Sequence, residues 1–119
     1  MAAPNLKSPT TITGKTARYA VTTTLANALA NSASSGKVLK INSIFCANVD
    51  GTNAADISVS IYNGTTDFYL VKTLAVPADA TQVISSKATY FYLEEGDSIR
   101  ALASAASDLE LIIGYEDIS

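Results

Sequence analysis

Tyr90-Phe91-Tyr92-Leu93-Glu94-Glu95-Gly96-Asp97-Ser98-Ile99-Arg100-Ala101-Leu102-Ala103 is the stretch that decides the reading of this chain. Two alternating runs flank a charged turn that contains a glycine, so the stretch reads as two β-strands in a hairpin. Side chains alternate across a strand, which places Phe91, Leu93, Ile99, Ala101 and Ala103 on one face. Tyr90, Tyr92 and Arg100 fall on the other. The apolar face of such a pair needs a second sheet to cover it, and the expectation is a β-sandwich.

Working outward, Ile57, Val59 and Ile61 alternate with Ser58, Ser60 and Tyr62, the clearest period of two in the chain. Asn63-Gly64 follows at once, a strong marker for a hairpin turn. The return run, Thr66 to Leu74, mixes both parities, the pattern of a strand covered on both faces. Lys37 to Val49 is the longest strand candidate, with Leu39, Ile41, Phe45, Ala47 and Val49 on one parity and Ser43 as the exception. Thr16 to Ala30 is rich in β-favouring residues. Within it Leu25 to Ala30 would permit a short helix, but its flanks favour a strand. Thr81 to Ser85 gives a shorter strand, and Leu109, Leu111, Ile113 and Tyr115 alternate with Glu110, Ile112, Gly114 and Glu116. Asn31 to Gly36, Asp50 to Asn53, Val76 to Asp79 and Ser104 to Asp108 are turns by composition.

The count comes to eight or nine strands with little room for helix. This predicts an all-β fold, an antiparallel, jelly-roll-like β-sandwich. Residues 16–119 form its single domain. Residues 1–15, polar and carrying Pro4 and Pro9, read as an extended arm that takes order from the body or from a neighbour.

At 119 residues the chain suits one domain. It is 48% hydrophobic and sparsely charged, the opposite of a disordered composition. The net charge is -3 and the eight Lys and Arg are scattered, which argues against nucleic acid and against an anionic membrane surface. The single cysteine, Cys46, lies in a strand-like run and reads as a small buried thiol. With no disulfide framework, the chain suits folding in a reducing cytoplasm. The N-terminal run has no apolar core of a signal peptide, and no apolar run is long enough to span a membrane.

Candidate chemistry is thin. Gly14-Lys15-Thr16 ends like a phosphate-binding loop, but Pro9 stands where that pattern needs glycine. Asp50, Asn53 and Asp56 offer oxygen ligands for calcium, yet their spacing fits a polar turn better than a calcium loop. Glu94, Glu95 and Asp97 could do acid–base work only with partners that the chain lacks. Asn63-Gly64-Thr65 matches a glycosylation acceptor, and the hairpin turn accounts for it. The absence of histidine removes the common nucleophile–base and metal-site arrangements. The chain reads as a non-enzyme without a cofactor or a metal. Exposed tyrosine is enriched at protein interfaces, so Tyr62, Tyr69, Tyr90 and Tyr92, with Arg100, are the candidate interface residues.

Five segments carry a resemblance: Ser8 to Thr16, Lys40-Ile41-Asn42-Ser43-Ile44, Asn48-Val49-Asp50-Gly51-Thr52, Val76-Pro77-Ala78-Asp79-Ala80, and Tyr92 to Ser98. In these the chain resembles small β-sandwich virion structural proteins of tailed bacteriophages, of the decoration or accessory type found in phages of cyanobacteria and other aquatic bacteria. The resemblance runs from Ser8 onward and rests on turns and strand edges. It implies a virion building block made in the host cytoplasm. The leading expectation is a capsid decoration (cement) protein that binds the major capsid protein of an assembled head as a homotrimer. The alternatives are a neck or tail accessory protein and a carbohydrate-binding module for host adhesion.

Overall fold

The computed structural model describes residues 4–119. It contains nine strands: β1 (Ile12–Ala20), β2 (Ala26–Ala30), β3 (Val38–Asn48), β4 (Ala55–Tyr62), β5 (Asp67–Val76), β6 (Thr81–Ser85), β7 (Phe91–Leu93), β8 (Ser98–Ala103) and β9 (Leu109–Ile118). One turn of 3-10 helix, Lys87–Thr89, separates β6 from β7. A five-stranded sheet runs β1-β9-β3-β6, with β7 also paired to β3, and a four-stranded sheet runs β2-β8-β4-β5. All pairings are antiparallel. β6 lies along residues 44–47 of β3 and β7 along residues 39–41, so the two occupy one edge in succession. The chain is therefore one long ribbon, β1 to β4 out and β5 to β9 back, rolled so that its halves pair across the two sheets. This is the jelly-roll arrangement.

The tip of the ribbon is the Asn63-Gly64 turn. Asn63 Oδ1 accepts the backbone N–H groups of Thr65 and Thr66 at 3.0 and 2.8 Å. Gly64 sits at φ +96°, in the left-handed region that a side chain would oppose. The expected β4–β5 hairpin is present.

The stretch from Tyr90 to Ala103 is not a hairpin. β7 belongs to the five-stranded sheet and β8 to the four-stranded one, so residues 94–97 form an arch between sheets. Leu93, Ile99 and Ala101 are fully buried, but they meet the core from opposite sides. The arch is pinned by the β2–β3 loop. Gly96 N–H donates to Asn31 O at 2.8 Å, Asn31 N–H donates to Asp97 O at 2.9 Å, and Gly36 N–H donates to Glu95 Oε2 at 3.0 Å. These bonds consume the acidic turn structurally.

Two buried asparagines tie the sheets together. Asn31, 3% exposed, donates from Nδ2 to Lys37 O and to Leu93 O, both at 3.0 Å, while its Oδ1 accepts Ser35 Oγ–H at 2.6 Å. At the other end of β3, Asn48 Nδ2 donates to Asn53 O at 3.0 Å and Val76 O at 2.9 Å, and its Oδ1 accepts Asp50 N–H at 2.9 Å. Each amide thus reaches the last carbonyl of a strand in the opposite sheet.

β3 departs from its expected parity. A register shift between Ile41 and Ser43 moves Ile44 and Cys46 into the core and turns Phe45 and Ala47 outward. Gly114 lies opposite Ser43, and a Cβ there would stand 2.9 Å from Ser43 Oγ, so a bare backbone is what lets the bulge close. Cys46 is fully buried as expected, and burial pushes its thiol up to about 11, which keeps it inert.

β5 is an edge strand rather than one covered on both faces. Phe68 is 61% exposed, and Tyr69 and Leu70 are exposed beside it. Its register against β4 shifts twice, and Thr73 takes φ 57°, which costs a β-branched residue about 1–3 kcal/mol. Thr73 N–H donating to Ser58 Oγ at 3.0 Å holds it there.

β1 begins at Ile12, so residues 12–15 of the expected arm pair with residues 115–118 of β9. Thr10 and Thr11 N–H groups both donate to Ser119 O. Gly14-Lys15-Thr16 lies inside β1 in extended backbone. Lys15 Nζ and Lys37 Nζ reach the same Asp117 Oδ2 at 3.0 and 3.2 Å. Burial pushes the Asp117 carboxyl up, but hydrogen bonds and charge from the two lysines outweigh it and leave its pKa below the ordinary value.

Two outcomes follow for stability. Asn31→Ala and Asn48→Ala should each lose about 2–4 kcal/mol, because each strands buried carbonyls, and urea titration should show a lower midpoint at unchanged slope. The Asp117 contribution is present in full above the ordinary carboxylate pKa of 3.8 and lost as pH falls through its lower folded value. Asp117→Asn should flatten the acid side of the stability profile measured the same way.

Candidate assembly surfaces

The sandwich leaves both sheets with an uncovered outer face, and the five candidate tyrosine and arginine residues divide between them. Tyr90 and Tyr92 stand on the five-stranded sheet, because Tyr92 alternates with buried Leu93 on β7. Their rings meet edge to face, centroids 5.9 Å apart at 88°. Lys40, the cross-strand partner of Tyr92, holds Nζ 4.5 Å over the Tyr90 ring. Further along the same face, Arg18, Ile112, Phe45 and Val83 form one row across β1, β9, β3 and β6. Val83 is 65% exposed. Gly114 and Ser43 lie between the row and the tyrosines and keep the surface low.

Asn42 occupies the same face. Its Nδ2 donates to Glu116 Oε2 at 2.8 Å, while its Oδ1 is buried without a donor among the described residues. A buried acceptor left unpaired is costly.

Tyr62, Tyr69 and Arg100 stand on the four-stranded sheet. The Arg100 guanidinium lies 4.2 Å over the Tyr62 ring, and its Nη1 is 3.6 Å from Asp67 Oδ2. Ser60 Oγ–H donates to Asp67 Oδ1 at 2.8 Å, and Tyr62 O–H donates to Gly64 O at 2.9 Å. Tyr69 carries Lys72 Nζ 5.0 Å over its ring. The five residues therefore cannot touch one flat partner together.

Sequence reasoning passed over Phe45, Ile112 and Val83 as surface residues. The bulge at Asn42 hid Phe45, whereas Ile112 shares the parity of Glu110 and Glu116, the face that β9 turns outward. Asp50 Oδ1 accepts Thr52 N–H at 2.8 Å, the Asx turn expected there. Among the described residues no three acidic or thiol side chains stand close enough together to hold a metal ion.

No protein-family model matches the chain, nor does any curated protein sequence. Solved structures do match it in shape. A chain from the disulfide-linked pili of Bacillus endospore appendages aligns over 100% of this chain and 96% of its own length, at TM-score 0.54 and 15% identity. A chain from the acid-stable capsid of Helicobacter pylori bacteriophage KHP30 aligns over 94% of this chain and 90% of its own length, at TM-score 0.56 and 13% identity. The likeness is one of fold.

The Asp67–Arg100 contact is partly buried and should couple. A double-mutant cycle of Asp67→Ala and Arg100→Ala should give a coupling of about 1 kcal/mol in thermal or urea unfolding.

Proposed function

We propose that the protein is a structural component of a bacteriophage virion, a decoration (cement) protein that seats the outer face of its five-stranded sheet on the assembled head. The observation that carries this reading is the character of that face. It is a low surface with Ile112, Phe45 and Val83 in a row and a tyrosine pair packed edge to face, on a jelly roll shared in shape with a phage capsid chain. Interface centres favour such aromatic and apolar groups ringed by polar ones.

The neighbours in shape come from a capsid and a pilus, two assemblies, which also supports a building-block role. A non-catalytic role is supported by the lack of histidine and by a thiol sealed in the core. The partner on the particle is the major capsid protein, with synthesis in the host cytoplasm and a homotrimer as the soluble unit. Residues 4–9, ahead of the Thr10 anchor, serve as the segment that a neighbour orders. A neck or tail position uses the same face against a different partner.

Heads stripped of accessory proteins provide the test. The wild-type chain should saturate them, and the double variant Tyr92→Ala with Val83→Asp should bind at least about tenfold more weakly, near 1.4 kcal/mol. Tyr62→Ala should bind as wild type. No binding at saturating concentration would remove the head assignment, and binding to purified tails instead would move the protein there. Light scattering after size exclusion should give the mass of three chains. Deleting residues 1–9 should leave the unfolding midpoint unchanged and weaken head binding.

A further inference from the structure

The four-stranded sheet, which the proposed docking leaves facing solution, carries a cleft of about 200 Å³ on its outer face. Its walls are Asp56 and Ser104 on one side and Tyr69, Lys72 and Thr73 on the other, over Leu102. The cleft exists because β5 is irregular. Two register shifts and the left-handed Thr73 interrupt the pairing of the edge strand with β4 beside Ser58. Ser58 Oγ accepts Thr73 N–H, so the strained residue is held in place.

The opposite wall is equally built. Asp56 N–H donates to Ser104 Oγ at 2.8 Å and Ser104 N–H donates to Asp56 O at 3.0 Å. That pair fixes the backbone and leaves the Asp56 carboxylate without a hydrogen bond or ion pair among the described residues. Among the described residues the Lys72 ammonium has no carboxylate partner either, and it rests over the Tyr69 ring. The cleft thus combines one unspent acceptor, one unspent cationic donor, serine and threonine hydroxyls, an aromatic face and an aliphatic floor.

These groups select a ligand class. A purely apolar molecule would desolvate Asp56 and Lys72 without return. An anion meets Asp56, and a cation meets Lys72. A phosphate would want a cluster of basic groups, and the cleft has one. A neutral ring with hydroxyls around its edge and C–H bonds on its face satisfies every wall at once. The volume is below the range of about 300–1,000 Å³ for drug-sized ligands, which fits one sugar ring with its neighbours in solution. We propose that this cleft is a saccharide subsite, with Tyr69 as the platform for the apolar face of the sugar and Asp56 as the acceptor for its hydroxyls.

Lys72 caps the platform in the free protein, so it swings off Tyr69 to donate to the sugar when the ring stacks. The inference stands apart from the assembly reading, because the two use opposite faces of the sandwich.

The test is a two-dimensional amide NMR titration of the full chain with D-glucose, D-galactose and N-acetyl-D-glucosamine at millimolar concentration. The expected result is saturable shifts in residues 56–58, 69–73 and 102–104 with at least one of the three sugars. Tyr69→Ala should weaken that binding about tenfold or more, Tyr69→Phe should retain it, and Asp56→Asn should weaken it several-fold. Tyr90→Ala, on the other sheet, should leave it unchanged. The same spectra show whether each variant is folded, and Asp56→Asn provides a second reading should Tyr69→Ala disturb β5. Shifts that do not saturate with any of the sugars, or saturable shifts that both variants leave intact, would overturn the proposal. Loss of head binding by the wild-type chain would not affect it.

Discussion

Each end of the sandwich is closed by one buried amide. A two-sheet fold gains its core by burying apolar faces, but that force is non-directional and sets no angle between the sheets. Asn31 and Asn48 supply direction. Each is followed by a loop, each binds a carbonyl of that loop, and each extends its second N–H to the strand terminus across the core. A buried amide satisfied at every atom has one arrangement open to it, so the two sheets meet in one relative position.

Everything on the outside inherits that position. With the Asn31 loop fixed, the arch at residues 94–97 can cross between sheets, and β7 and β8 deliver their polar side chains to opposite faces. Tyr90 and Tyr92 go one way and Arg100 the other. The irregularities play the same part within each sheet. The bulge at Asn42 turns Phe45 out to join Ile112 and Val83, and the bulges of β5 open the recess beside Tyr69. The relief on the outer face of each sheet is a product of interrupted pairing.

Much of the fold was legible because alternation is a local signal. The Ile57 to Tyr62 run, the Asn63-Gly64 turn and the β9 pattern announce strands from their own residues. What alternation cannot convey is which sheet a strand joins. Phe91, Leu93, Ile99 and Ala101 do share a core, but a hairpin and an arch give the same sequence pattern. A bulge is equally silent, since one extra residue reverses parity without changing composition, and Phe45 was placed inside on that account. Asn31 sits in turn-like sequence and Asn48 at the end of a strand run beside a turn, where asparagine ordinarily bonds its own loop in water. Their burial depends on strands 62 and 28 residues away, respectively. Parity alone does not say which face of a strand is exposed, so the outward direction of the five tyrosine and arginine residues was not fixed by it, and their division between two faces was hidden for the same reason as the arch.

The ribbon topology also governs when the molecule can come into being. β9 is the ninth strand in sequence, yet it lies inside the five-stranded sheet between β1 and β3. As a nascent chain emerges, β1 and β3 have no common neighbour until that final strand arrives, and Ile12 must wait for Ile118. Such pairing places this chain among high-contact-order folds, whose rates run from about milliseconds to seconds. During that interval the strand edges of β1 and β3 are open to water and to other copies. A chain of this topology meets its greatest risk of misassociation before its five-stranded sheet is complete.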